Sequence, residues 1–465
     1  MSEPPISDSR STAVQAQSDR AYQPTPLIDR LVAPFGARRL VAGRPGMGWL
    51  LTEVSPAQIW CALTGALWLD GYNFVLYLTL LGASVAELAW LPLVNYGGFA
   101  LSVLFLALRP PRSDAKAICL TYTFIARSLW LGVVAWPLIA WWLELGTGAI
   151  LAGVFMSVFL TALFGNVGVA AFMTWTAAVV PREERGRFFM WRNLSAFAAL
   201  TATFQIVAWL WPVASTATSS NSVELAWLMG LFTATTIFVI LSTFPLAWSP
   251  AMPPRDASAE PHRPLWETIR TVRGFRRLLA MGALNTAAMA CLLTYLPRLL
   301  HQLGMEGQTY AALQGNVQVP LMLAGIIIAG FALRHLGGAF LMRGTLIITV
   351  FGDSLFLLLT SANLAWLALL CLGCVGLGRG LASIAWIGRI QELAPAHDTR
   401  FPLLHLGING IAGMLAGLAL MITVPWLEAQ YVAQTITHEP LWLVIGAGVL
   451  LRCGSLVLAL LPTRT

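Results

Sequence analysis

The sequence predicts an all-α polytopic membrane protein, with twelve transmembrane helices arranged as two pseudo-symmetric six-helix bundles. Three observations carry this prediction. Hydrophobic residues make up 57% of the 465 and charged residues only 11%, with a mean hydropathy of +0.73, far outside the soluble range. The apolar residues are gathered into runs, and a bilayer crossing needs roughly 20 residues per run. Arginine then falls in every second gap. Arg109 and Arg112 follow the second run, and Arg182, Arg185, Arg187 and Arg192 follow the fourth. Arg255, Arg263, Arg270, Arg273, Arg276 and Arg277 follow the sixth, Arg334 and Arg343 the eighth, and Arg389 and Arg400 the tenth. Arg298 is the exception. Cations are retained on the cytoplasmic side of a membrane, so both termini are expected in the cytoplasm, in a multi-pass protein of the inner (cytoplasmic) membrane.

The twelve runs lie near 55–80, 86–108, 116–140, 148–179, 187–212, 223–248, 276–300, 309–334, 344–362, 364–390, 401–426 and 440–462. Residues 1–50 precede them as a cytoplasmic tail. Its first 25 residues are polar, lack the apolar core of a signal peptide, and are expected to be disordered. Residues 26–50 mix Leu, Val and Phe with Arg30, Arg38, Arg39 and Arg44, which suits either a short amphipathic helix on the membrane or a continuation of the tail. A central cytoplasmic loop at 249–275 carries Pro250, Pro253, Pro254, Pro261 and Pro264. It divides a first bundle (51–248) from a second (276–465). Six spans followed by six spans, with both termini inside, points to a parallel duplication. Local echoes agree with it. Leu81-Gly82-Ala83-Ser84 ends the first span and Leu303-Gly304-Met305-Glu306 the seventh. Trp175, Pro181 and Arg187-Phe188 close the fourth span as Trp386, Pro395 and Arg400-Phe401 close the tenth. Trp136, Trp141, Trp142, Trp209, Trp211, Trp426 and Trp442 cluster at the outer ends, the headgroup level that tryptophan prefers.

The net charge of +7 follows from this topology. Anionic membrane lipid is its expected counter-charge and nucleic acid is not. Cys371 and Cys374 form a C-x-x-C with no second Cys or His pair at metal spacing, so they read as apolar packing residues. No metal site is expected. No Walker loop or haem ligand set is present either, so no cofactor and no enzymatic activity are expected.

Three local patterns, together with the architecture, resemble the major facilitator superfamily over about residues 51–465. Val180-Pro181-Arg182-Glu183-Glu184-Arg185-Gly186-Arg187 is similar to the Pro-x-x-x-Arg-Gly element between the family's fourth and fifth helices. The Leu-Gly-Ala-Ser turn after the first span is the second pattern. Gly330-Phe331-Ala332-Leu333-Arg334-His335-Leu336-Gly337 resembles a degenerate copy of the family's Gly-x-Leu-Ala-Asp-Arg-x-Gly loop. The resemblance implies cytoplasmic gate contacts at Pro181, Arg185, Gly186, Arg187, Gly330, Arg334 and Gly337. Two departures stand out. Arg109-Pro110-Pro111-Arg112-Ser113-Asp114 does not keep the loop pattern, and Arg334 occupies the family's Asp position. That Asp accepts hydrogen bonds at a helix N-terminus; arginine cannot, so the gate must be secured by another group. The fifth span also lacks the Gly-Pro-rich pattern of drug–proton antiporters.

Ionisable and polar groups inside the spans are the default functional candidates, because a charge in hydrocarbon is tolerated only when paired or hydrated. Asp70, Asn73 and Tyr77 share one face of the first span. The resemblance places that stripe on the substrate path; an interhelical hydrogen-bond cluster is the other reading. Gln205, Asn285, Tyr295, Gln314 and Gln318 are further path candidates, the last two one helical turn apart. Arg127 in the third span is at a depth where Asp70 or Asn166 is a feasible partner. Asp353 and Arg379 stand at matching depths in the adjacent antiparallel ninth and tenth spans, which predicts an intramembrane ion pair. His405 and Asn409 are one turn apart in the eleventh span, as a proton carrier or as packing. Gly407, Gly410, Gly413 and Gly417 form a small-residue seam there, which permits close helix contact.

The expected function is a monomeric secondary active or facilitated transporter of a small solute, working by alternating access, with proton coupling through Asp70 or Asp353 as an option. A transport-inactive membrane scaffold or assembly factor is the first rival. A polytopic membrane enzyme is the second, and no gap between spans supplies the acidic or His-containing motif it would need.

Overall fold

The computed structural model describes residues 27, 29, 44–53, 55–57, 59–60, 72–88, 90–103, 114–217, 221–251, 270, 272, 274–305, 309, 312–394, 400–432 and 440–461. Its described elements are all helical. The first span is represented by Tyr72–Leu80, the second by Val85–Leu88 and Trp90–Ser102, and the third by Ala115–Leu129 and Gly132–Trp142. Thr147–Val179 is the fourth, Arg185–Ala217 the fifth, and Asn221–Leu241 with Thr243–Ala247 the sixth. In the second half Phe275–Gln302 is the seventh, Leu364–Leu393 the tenth, Arg400–Val432 the eleventh and Pro440–Leu460 the twelfth. The eighth and ninth spans share Val319–Phe356, preceded by a π-helical turn at Gln314–Gln318. Seven of the described helices are long and apolar enough to cross a membrane, the joined eighth and ninth counting as one.

Local chemistry sets the ends of these helices. Gly82 (φ 94) and Gly304 (φ 97) both adopt the left-handed conformation after the first and seventh spans. The following amides reach back, Ala83 to the Leu78 carbonyl and Met305 to the Leu300 carbonyl, each at 2.9 Å. These are Schellman closures, so the Leu-Gly echo in the sequence is the same helix stop used twice. Ser84 and Glu87 then form a capping box that starts the second span: the Ser84 amide donates to Glu87 Oε2 at 2.7 Å and the Glu87 amide to Ser84 Oγ at 3.3 Å. Asp114 caps the third span by accepting from the Lys116 amide at 2.9 Å. The loop expected between the eighth and ninth spans shrinks to a single break at Gly337 (φ 77, ψ 163), a conformation that favours glycine.

Packing follows an exchange symmetry. Across the halves, the second span packs on the eleventh and the fifth on the eighth. Swapping the halves turns one pair into the other. Along the second–eleventh contact the glycine seam is filled by the opposite helix. A Cβ at Gly410 would collide with the Ala100 amide nitrogen, one at Gly413 with the Tyr96 ring, and one at Gly417 would stand 2.7 Å from the Leu93 amide nitrogen.

Three apolar cores result. The largest lies at the arginine-rich face and joins both halves, with Trp175, Phe188 and Phe189 from the first and Phe275, Leu341 and Phe401 from the second. Towards the opposite face there are two. One is built on Phe74, Tyr77, Trp130 and Phe232 of the first half, with Ala290 reaching in from the seventh span. The other is built on Tyr295, Phe356, Leu372 and Ile445 of the second.

Candidate functional site

The two halves meet through a set of contacts at the arginine-rich face. Gly186, at the start of the fifth span, lies against the end of the eighth, where a Cβ would be 3.1 Å from the Gly330 carbonyl oxygen. Gly330 in turn faces Met190, whose Cβ would be 2.7 Å from an added Cβ. Asn193 Nδ2 donates to Ser383 Oγ at 3.1 Å, and Gln391 Nε2 to the Met173 carbonyl at 3.2 Å. The fourth and fifth spans are thereby tied to the tenth. Arg185 acts locally. Its guanidinium donates to the Val180 and Ala177 carbonyls at 3.2 and 2.7 Å, satisfying the last turn of the fourth span before Pro181. Arg187 pairs with Glu184 at 3.3 Å.

Arg334 is exposed, and the carboxylate its position lacks is supplied from elsewhere. Glu392, at the end of the tenth span, accepts the Gly338 amide at 2.9 Å and pairs with Arg389 at 2.9 Å. An acid from a neighbouring helix thus caps the first amide after the Gly337 break. Nothing in the loop sequence points to it; an acid followed by a proline-containing helix end is a common enough pattern to pass unread.

Inside the first half, Tyr77 requires a correction. It is fully buried and donates its hydroxyl to the Val133 carbonyl at 2.8 Å. Pro137 within the third span has no N–H to offer that carbonyl, so the tyrosine repairs a proline gap instead of facing a solute path. Asp70, and the side chains of Asn73 and Gln205, lie outside the described residues.

Arg127 is buried, and its partners among the described residues do not include Asn166. Its Nη2 bonds Glu53 Oε1 at 3.1 Å, and its Nη1 donates to Thr243 Oγ1 at 2.8 Å and the Val239 carbonyl at 3.2 Å. The other Glu53 oxygen holds Arg192 Nη2 at 3.2 Å, and the Arg192 guanidinium sits 4.3 Å above the Phe172 ring. Asn166 donates to Ser102 Oγ at 2.5 Å instead of bonding Arg127. Glu53 gives no signal in the sequence because it precedes the first apolar run.

In the second half, Asp353 is buried and hydrogen-bonded to Arg452 of the twelfth span. The sequence does not single out that partner, although a lone arginine within the last apolar run is the available signal. Arg379 is half-buried, and its charge acts on the same carboxylate. His405 and Asn409 are hydrogen-bonded, Nε2 to Nδ2 at 3.1 Å, with the imidazole 5.6 Å from the Trp386 ring. Gly282 of the seventh span makes room for them, since a Cβ there would meet Asn409 Oδ1 at 2.5 Å. Asn285 contacts Met289 Sδ at 3.8 Å and is half-buried, as is Gln314. Gln318 is buried, and so is Tyr295, in the core of the second half. Among the described residues no group of three His, Cys, Asp or Glu side chains is placed to hold a metal ion.

No family model and no curated protein sequence matches this chain. Solved structures do. A fucose transporter of the major facilitator superfamily in the outward conformation superposes with a TM-score of 0.59 at 12% identity, over 88% of this chain and 97% of that one. A bacterial homologue of the iron transporter ferroportin, outward-facing, gives 0.54 at 14% over 89% and 97%. A proton:xylose symporter of the superfamily gives 0.57 at 14% over 88% and 94%. This chain has the major facilitator fold.

Proposed function

We propose that the chain is a secondary transporter that moves a small solute across the cytoplasmic membrane by alternating access, with the arginine-rich face and both termini in the cytoplasm. The observation that carries this is the distribution of apolar cores. One core joins the two halves at the arginine-rich face, while towards the other face each half has chiefly its own. Two bodies sealed together at one end and separately packed at the other are what a rocking bundle needs in its outward state. The second–eleventh glycine seam supports the reading, because close small-residue contacts let helices shift without large side-chain rearrangement.

Asp353 is committed to Arg452 within one half, so Asp70 is the better proposal for solute or proton contact. Asn285 and Gln314, both half-buried, are proposed to line the path from the second half. The scaffold reading leans on the altered loop at 109–114 and on Arg334, and the capping of Gly338 by Glu392 weighs against the second of these. The test is uptake or counterflow in proteoliposomes across sugars, nucleosides, organic acids and metal cations, with and without a proton gradient. Uptake of one solute class, abolished by Asp70→Ala, is expected. A monodisperse protein inactive toward every class would favour the scaffold.

A further inference from the structure

At the arginine-rich face of the second half, more positive charge gathers than the acids among the described residues answer. Arg277 begins the seventh span, Arg343 the ninth, and Arg389 ends the tenth; the charges of Arg343 and Arg389 both bear on Arg277. Arg389 lies over the entry to the seventh span, where a Cβ at Gly274 would be 3.6 Å from its Nη2. Two of the three have partial commitments. Arg389 pairs with Glu392 at 2.9 Å, and Arg343 Nε donates to the Ala459 carbonyl of the twelfth span at 2.9 Å. Arg277 has none: its Nε is buried without an acceptor among the described residues. Glu392, the one acid these three arginines engage among the described residues, also accepts the Gly338 amide.

Guanidiniums held together at this depth repel unless an anion bridges them. A buried guanidinium nitrogen without an acceptor also loses its hydration and gains nothing in return. Phosphate oxygens match the planar donor fork of arginine, so a phosphate answers both needs at once. In a bilayer crossed by these helices, the arginine-bearing ends of the seventh, ninth, tenth and twelfth spans would meet the headgroups, where anionic lipid presents such a group. We propose that Arg277, Arg343 and Arg389 form a phosphate-binding notch, occupied by the headgroup of an anionic phospholipid. The inference rests on the membrane-spanning fold and not on the transport reading, and it gives the inner arginines of this half a ligand in addition to a topological role.

Native mass spectrometry of the purified full-length chain, titrated with phosphatidylglycerol or phosphatidylcholine, tests it. Each basic residue at a membrane surface contributes roughly fivefold to anionic-lipid affinity, so R277Q/R343Q should weaken phosphatidylglycerol binding by about thirtyfold. Phosphatidylcholine binding should not change. The exposed neighbour Arg276→Gln should alter phosphatidylglycerol binding by less than about fivefold. Competition by inorganic phosphate, with no preference for phosphatidylglycerol, would assign the same notch to free phosphate. Equal phosphatidylglycerol affinity in the wild type and R277Q/R343Q overturns the proposal. If the double variant does not fold, unchanged affinity in R277Q alone does the same.

Discussion

Arg192 and His405 occupy the same register after Arg187-Phe188 and Arg400-Phe401, yet their surroundings differ in kind. In the first half the position is cationic, lies over Phe172, and is bound through Glu53 to Arg127 and so to the end of the sixth span. In the second half it is an imidazole against Trp386, bonded only to Asn409 among the described residues, with Gly282 leaving room beside it. The first half is braced at this level by a buried charge network that joins the segment before the first span to the third, fifth and sixth spans. The second half is joined there by a neutral pair. The two halves thus differ in kind at matching positions, a buried charge network in one and a neutral pair in the other.

The largest effect should come from the brace. Glu53→Gln leaves two buried guanidiniums without their carboxylate and is expected to destabilise the protein by about 3–5 kcal/mol, seen as a lower unfolding midpoint or loss of monodisperse protein. A variant that keeps wild-type stability would remove the distinction between the halves. Asp353→Asn should come next at about 3 kcal/mol, because it strands Arg452. Replacing both Asp353 and Arg452 by apolar residues of similar volume should recover much of that loss. Arg379→Gln should be milder than Arg452→Gln; the reverse order would make Arg379 the principal partner of Asp353. Glu392→Gln keeps an acceptor for the Gly338 amide and loses only a partly exposed ion pair, so about 0.5–1 kcal/mol is expected. Smallest is Asn409→Leu, which removes one neutral hydrogen bond and should shift stability by about 1 kcal/mol or less. A loss as large as that of Glu53→Gln would show that the second half is braced just as firmly.

Much of the fold is legible in the sequence because the bilayer imposes a coarse code. Apolar runs, alternate arginine-bearing gaps and two Leu-Gly helix stops place the spans without any side-chain geometry. The polar contacts are harder to read, for reasons that differ residue by residue. Equal depth in neighbouring helices nominates Arg379 for Asp353, and its charge does act on that carboxylate, but depth alone does not point to Arg452, which hydrogen-bonds it from a third helix. Tyr77 shares a helical face with Asp70, yet its partner is fixed by Pro137 in another span. Glu392 and Glu53 stand at helix ends, where acids are too common in sequence to signal a cap or a brace. Gly186 and Gly330 are readable because they belong to short patterns with a known geometric need for close approach.

On the proposed transport cycle, the joint at the arginine-rich face is a gate that opens in every turnover. Asn193 and Ser383, 3.1 Å apart across the halves, offer the most direct test. Asn193→Cys and Ser383→Cys, placed in a background free of the six native cysteines, should form a disulfide on oxidation. Solute uptake into proteoliposomes should then stop and return on reduction. Undiminished uptake with the cross-link fully formed would contradict the account, because the two halves would then transport without parting at that face.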